Sequence, residues 1–255
     1  MPTEEIAARD AYQARAEGRV TEVLPEGVVL DRTVFYARGG GQPGDIGILS
    51  TPHDEVKVVD TVRHQGRILH VVETPERLEP GMAVEGVINW DRRYRLMRTH
   101  TALHALSGVI YRDFGAKVTG GNMEPGVARM DFELDSMSVE LGRQVEEILN
   151  AELVRGYPAE VVFMAREVAL SDPDLIRTKV NLIPDYVREI RVIDIVGLDR
   201  QADGGTHVAS TLEVGQIRVT KTESKGKANK RMRIELQEDN RQKTEDNRPE
   251  IEDKR

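Results

Sequence analysis

The chain contains no cysteine. Disulfides and thiolate metal ligands are therefore excluded, and the composition fits a reducing, cytoplasmic setting. Any transition metal must be held by histidine, aspartate or glutamate. Aromatic residues make up only 4% of the sequence, with a single tryptophan. Long apolar runs are missing as well: none reaches the ~18 residues that a membrane helix needs. The opening residues 1–6 lack the basic and apolar regions of a signal peptide, so no membrane partner is expected. A glutamate is also missing where one class of enzyme requires it. His100 and His104 lie four residues apart, but the segment between them reads TAL, without the acid of the metallopeptidase pattern His-Glu-x-x-His. The usual local base is absent, and a peptidase reading loses its support.

What is present is enough for real cores and for two units. The 255 residues are 39% apolar and 31% charged. The net charge of -8 argues superficially against nucleic acid, but its distribution does not. Residues 91–98 sum to +3 and residues 221–233 to +5, which leaves -16 for the rest. Two basic patches on an acidic body can hold phosphates at a defined place while the body discourages non-specific binding.

Residues 1–12 read as a short helix or frayed arm. Strand patterns follow at 18–30, in two arms around a Pro-Glu-Gly turn, and at 56–62, 66–72 and 83–88. Short strands at this spacing predict a small barrel or sandwich. The pattern changes near 88–91. Asp91 is a candidate cap, and apolar positions Leu96, Leu103, Leu106 and Ile110 recur at helical spacing within a helix over 95–114. A second helix is expected over 138–155, strands near 160–164 and 188–195, and a hairpin of 215–222 with 229–236. The fold class is therefore α+β: a small N-terminal β-barrel over 1–90, then a domain over 91–236 of helices packed on a largely antiparallel sheet. From residue 237 the apolar pattern stops, and seven acids and five bases crowd nineteen residues, which reads as a polar tail.

On a helix, His100 and His104 project from one face, one turn apart, and offer two neutral nitrogens. About a hundred residues on, DGGTH at 203–207 supplies a third imidazole on a loop whose glycines let the backbone turn toward a site. Zinc is the metal that suits two or three imidazoles. A catalytic zinc keeps an open position for water, whose pKa falls toward ~7. The Gly39-Gly40-Gly41 run marks a backbone with positive φ or one closely approached by another group. It lacks the Lys-Ser/Thr ending of a phosphate-binding loop.

Four blocks then carry a family resemblance: TVFYARGGGQPGDIG at 33–47, RTHTALH at 98–104, DGGTHV at 203–208 and ESKGKANKRMRI at 223–234. In this order, over residues 18 to 236, the chain resembles the AlaX family of freestanding alanyl-tRNA editing proteins. It is similar to the medium-length class and to the editing domain of alanyl-tRNA synthetase. The resemblance implies a zinc-dependent hydrolase, acting in trans, that cleaves serine, and often glycine, from mischarged alanine tRNA. It implies a barrel whose glycine loop reaches an editing site held by His100, His104 and His207. The family motif often has cysteine where this chain has Asp203. That carboxylate is left with three roles: a fourth ligand, the holder of a metal-bound water, or a bystander to a three-histidine site. Asp203 and Gln201 are the candidates for handling water, and the metal either activates water or positions substrate. Thr33 or Gln42 is the candidate partner for a serine hydroxyl, with Gly40 and Gly41 beside it. Lys225, Lys227, Lys230, Arg231 and Arg233 are expected to contact the tRNA acceptor stem, with Arg92, Arg93, Arg95 and Arg98 extending the patch.

Two other classes compete. One is a tRNA-binding synthetase accessory with a degenerate metal site, for which Asp203 speaks. The other is an unrelated zinc esterase for small substrates, which would not require the basic hairpin.

Overall fold

The computed structural model describes residues 3–172, 175, 187–226 and 229–237. Six strands close an antiparallel barrel: β2 (Arg15–Leu24), β3 (Gly27–Leu30), β5 (Gly47–Ser50), β6 (Glu55–His64), β7 (Arg67–Val72) and β8 (Ala83–Ile88), in the order β2-β3-β7-β6-β5-β8. Their alternation explains the closure. In β6, Val56, Val58 and Thr61 are buried between exposed neighbours, and in β8 Val84, Gly86 and Ile88 turn inward. The filling is Val20, Val28, Leu30, Phe35, Leu49 and their neighbours. Register shifts at Val20/Glu22 and Val58/Asp60 supply the extra curvature a small barrel needs. Outside the barrel, β1 (Glu4–Glu5) pairs in parallel with β4 (Arg32–Thr33), and a 3-10 turn spans Ile6–Ala8, where the sequence suggested a helix or frayed arm. β5 is a further difference, since four residues give too short an alternation to read.

Helix α1 (Trp90–Phe114) follows the last barrel strand directly. It begins five residues earlier than its apolar spacing indicates. Its cap is Asn89, whose side chain accepts from the Arg92 N–H at 3.0 Å, and not Asp91, which lies in the first turn. Leu96, Met97 and every residue from Thr99 to Ile110 are buried, so the helix is enclosed on all sides. Around it stand α2 (Val139–Leu153), capped by Ser138, and two antiparallel sheets. One has the order β14-β15-β10-β9, built from β9 (Val118–Glu124), β10 (Val127–Phe132), β14 (Ile217–Ser224) and β15 (Lys230–Leu236). The other has the order β11-β12-β13, from β11 (Ala159–Ala165), β12 (Glu189–Ile195) and β13 (Asp199–Ala202). A short helix, α3 (Arg166–Ser171), continues from β11. The class is α+β, as the sequence indicates. The β9–β10 hairpin was not legible, because Gly120 and Gly121 interrupt its alternation. Residues 238–255 of the expected tail lie outside the described residues.

A buried ion pair joins the two halves. Arg93 of α1 is fully buried and Asp45, at the end of the glycine-rich segment, is 1% exposed. The Arg93 Nε donates to both Asp45 oxygens, Nη2 also reaches Asp45, and the guanidinium further donates to the carbonyls of Ala11 and Val34. Asp45 in turn accepts from the Tyr36 N–H at 2.7 Å. Removing one member of such a pair leaves an uncompensated charge in the interior. Arg93→Ala is expected to cost ~3–5 kcal/mol in urea unfolding; a loss under 1 kcal/mol would show that the pair does not hold the halves together.

Inside the barrel, His70 is fully buried and its ring nitrogens meet Val28 O and Thr33 Oγ1. Burial lowers its pKa to about 4. The unfolded chain, with an ordinary imidazole near ~6.5, therefore binds more protons between these values, and stability falls as pH drops from ~6.5 to ~4. We expect about 3 kcal/mol from this group over that window, measured as the difference in pH-dependent melting between the wild type and His70→Gln.

Candidate metal centre

Two segments converge on one point. Helix α1 presents His100 and His104, and the loop after β13 presents Asp203 and His207. One ligand atom from each of the four residues lies within 4.8 Å of all the others. His100 Nε2 is 3.5 Å and His104 Nε2 3.9 Å from Asp203 Oδ2, and His207 Nε2 is 3.6 Å from Asp203 Oδ1. Ligands at zinc distances of ~2.0–2.1 Å on a tetrahedron stand ~3.3 Å apart, so the spacing fits a metal with modest contraction.

The outer faces of the rings are fixed. His104 Nδ1 lies 2.8 Å from Asp199 Oδ2, and His100 Nδ1 lies 3.0 Å from Gln42 Oε1. Oxygen acceptors at Nδ1 place the proton there and leave the Nε2 lone pair facing the cluster, the arrangement that metal-binding histidines use. His207 is different: neither ring nitrogen has a hydrogen-bond partner, although the residue is only 4% exposed. Buried polar atoms are nearly always partnered, so these orphans point to a ligand for the ring.

The electrostatics agree. Burial, and then the neighbouring His100, hold the His207 pKa well below the imidazole range, which keeps the lone pair of one ring nitrogen free. Burial alone would lower His104 too, but the carboxylates of Asp199 and Asp203 outweigh it and raise the pKa to about 9. Burial works against the Asp203 carboxylate, yet the three imidazoles keep it ionised, well below its usual range. The two carboxylates thus favour positive charge at the centre, which a proton on His104 or a divalent cation could supply.

The glycine-rich segment reaches this centre. Gly40 and Gly41 have φ of +57° and +82°, and a β-carbon on Gly40 would lie 3.7 Å from Asp203 Oδ2. Gln42 is fully buried. Its Oε1 accepts from His100 Nδ1 and from the Thr206 N–H at 3.0 Å, and its Nε2 donates to Thr206 Oγ1 at 2.9 Å. Gly205 permits this closeness, since a β-carbon there would sit 2.3 Å from His100 Cε1.

Other expected residues fall elsewhere. Thr33 ends β4: its hydroxyl accepts from the Phe35 N–H and contacts His70 Nε2 of the barrel at 2.8 Å, so its bonding is with the barrel and not with the cluster. Gln201 stands behind His104. Its Nε2 donates to Asp199 Oδ2 at 2.8 Å and to Ser107 Oγ at 3.1 Å, which makes it a support for Asp199. Asp199 was missed, although Asp199 and Gln201 alternate along β13 and so share a face, with Asp203 just past the strand's end. Arg191 was missed as well; its guanidinium donates to the Asp203 carbonyl at 2.9 Å. In the basic hairpin, Lys230 is buried with Nζ on Gly226 O, and Arg231 is bound by two bonds to Asp131. Lys225 is exposed, 3.4 Å from Glu223, and Lys227 lies outside the described residues. Arg92 and Arg98 donate to Gly44 O and Val214 O, so with Arg93 they bind their own chain.

Residues 5–92 match the family described as tRNA synthetases class II (A), and residues 190–233 match the threonyl and alanyl tRNA synthetase second additional domain. An alanyl-tRNA editing protein AlaX-M of Saccharolobus solfataricus is 38% identical over 90% of this chain and 97% of its own length. The AlaX-M protein of Methanosarcina barkeri is 35% identical over 92% of this chain and 99% of its own. The chain belongs to the AlaX-M family. An alanine–tRNA ligase of Methanococcus maripaludis is 34% identical over 87% of this chain, which spans 24% of that ligase. In this AlaX-M chain the barrel and glycine loop fall within the first family match, Asp203 and His207 within the second, and the histidines of α1 between them.

Gln42→Ala is expected to release the His100 ring and to weaken metal binding by roughly 10–100-fold, as loss of an outer-sphere partner does. Competition with a chromophoric chelator measures this; unchanged affinity would show that His100 needs no such support.

Proposed function

We propose that this AlaX-M protein is a hydrolase that removes serine, and also glycine, wrongly esterified to alanine tRNA, acting in trans with one zinc ion. The observation that carries the reading is the convergence of His100, His104, Asp203 and His207, with both nitrogens of the buried His207 ring unpartnered. Those four residues would hold the ion. When bound, zinc polarises an ester carbonyl, lowers the pKa of a water, or seats the substrate amine.

The chain's own groups do the rest. Gln42 and Asp199 hold the rings of His100 and His104, and Gln201 steadies Asp199. The absent side chain of Gly40 leaves room beside Asp203 for an aminoacyl group. An apolar pocket rejects an added hydroxyl poorly, whereas a site that hydrogen-bonds the hydroxyl rejects its absence strongly. Gln42 is the candidate here: its amide donates one proton to Thr206 and keeps another. Lys225 provides an accessible cation toward the tRNA.

The test is incubation with Ser-, Gly- and Ala-charged alanine tRNA, with and without chelator. Serine release should exceed alanine release by at least tenfold, stop with chelator and return with zinc. Tight tRNA binding with no hydrolysis and no bound metal would instead support the accessory-module reading that Asp203 allows. Asp203→Cys restores a soft thiolate donor and should raise zinc affinity at least tenfold; unchanged affinity would place Asp203 outside the coordination sphere.

A further inference from the structure

The outer face of the four-stranded sheet carries a row of like charges. In register across the strands stand Asn122 of β9, Arg129 of β10, Arg233 of β15 and Lys221 of β14. Adjacent strands are ~4.8 Å apart, and like charges directly opposite one another destabilise a sheet. The neighbouring row relieves this only in part. Asp131 serves both Arg129, at 3.3 Å, and Arg231, while Glu223 serves Lys221, Lys225 and Arg233 at 3.1–3.4 Å. Two carboxylates thus answer five cations.

A groove of about 310 Å³ lies over part of this row, with Asn122, Arg129, Thr220 and Arg233 in its lining and Lys221 next in register to Arg233. The register shift between Val219 and Lys221 is part of its construction, because it leaves both Thr220 and Lys221 exposed. Glu124 and Glu235 bound the groove at one end. The metal-centre loop also reaches β9. The Met123 N–H donates to Gly41 O at 3.2 Å, and a β-carbon on Gly41 would lie 3.6 Å from Asn122 Cα. Gly41 packs against the backbone of Gly121 and Asn122, and the adjoining Gly40 faces the Asp203 carboxylate.

We infer that this groove is a phosphate track: Arg129, Arg233 and Lys221 take successive phosphates of the single-stranded 3′ end of the RNA substrate and lead it past Gly41 to the metal centre. The inference rests on the editing reading for the identity of the RNA. Both arginines keep accessible guanidiniums and planar forks suited to phosphate oxygens, and Asn122 and Thr220 add neutral partners. The acids at one end discourage the strand from running that way.

The test uses full-length protein and an uncharged minihelix carrying the alanine acceptor stem with its single-stranded end. Binding is measured at several salt concentrations for the wild type, for Arg129→Gln with Arg233→Gln, and for Arg15→Gln with Arg32→Gln. The last pair removes equal charge from the barrel, where the two arginines face Glu85 and Glu4. Loss of two single-strand phosphate contacts should flatten the slope of log affinity against log salt by ~1.4 and weaken binding on the order of tenfold. KM for Ser-charged tRNA should rise with little change in kcat, and the barrel pair should match the wild type. An unchanged slope in the groove pair, equal losses in both pairs, or a wild type that does not bind the minihelix would each overturn the track. A wild type that binds the minihelix with the expected slope differences but releases no amino acid would overturn the editing reading and leave the track standing. Melting curves guard against misfolding. If the double variant melts early, the single Arg233→Gln, at an exposed position, is read for a slope change of ~0.7.

Discussion

The buried pair of Arg93 and Asp45 is the constraint on which the arrangement depends. Asp45 ends the glycine-rich segment and Arg93 lies in the second turn of the central helix, so the pair sets where that segment leaves the barrel relative to α1. Gln42 stands three residues before Asp45, and His100 stands two helical turns beyond Arg93. Once the ion pair is made, the amide of Gln42 is delivered to the edge of the His100 ring with little left to choose. The desolvation that makes such a pair a poor source of net stability makes it a good source of position, because a misplaced partner leaves a bare charge.

Position matters here because no short motif holds the site. His100 and His104 share one helix face, but the ring of His100 is oriented by Gln42 of the glycine-rich segment, that of His104 by Asp199, and the other two corners come from the loop after β13. Gly205 allows the contact of this loop with helix and barrel. Any side chain there would displace either the His100 ring or the Gln42 amide.

The sequence revealed a good part of this, for identifiable reasons. Barrel strands with clean alternation, such as 56–62 and 83–88, were legible, as were the long helix and the capped α2. The β9–β10 hairpin was not, because glycines blur its period, and β5 was too short. At the centre, His100, His104, Asp203 and His207 could be named, since metal chemistry restricts residue type and spacing. Their supports could not be assigned in the same way. Gln42, Asp199 and Gln201 act through hydrogen bonds whose partners lie up to 164 residues away, and nothing in local spacing records such distances. Cations misled most. Arg93, Lys230 and Arg231 look like one kind of residue in sequence, yet the first is buried in an ion pair, the second bonds its own turn and the third is bound to Asp131. Only register across the sheet separates the accessible arginines from these.

Gln42 and His207 are 165 residues apart in the chain. At ribosomal speeds of ~5–20 residues per second, His207 emerges roughly ten to thirty seconds after Gln42. During that interval the barrel can close and α1 can form, but the centre lacks two of its four ligands. A cation captured early would be held by His100 and His104 alone, weakly enough to exchange. Tight binding would therefore become available only after the strand that carries Asp199 and the loop behind it have docked, and an ion held there would act as a late latch on a nearly finished chain.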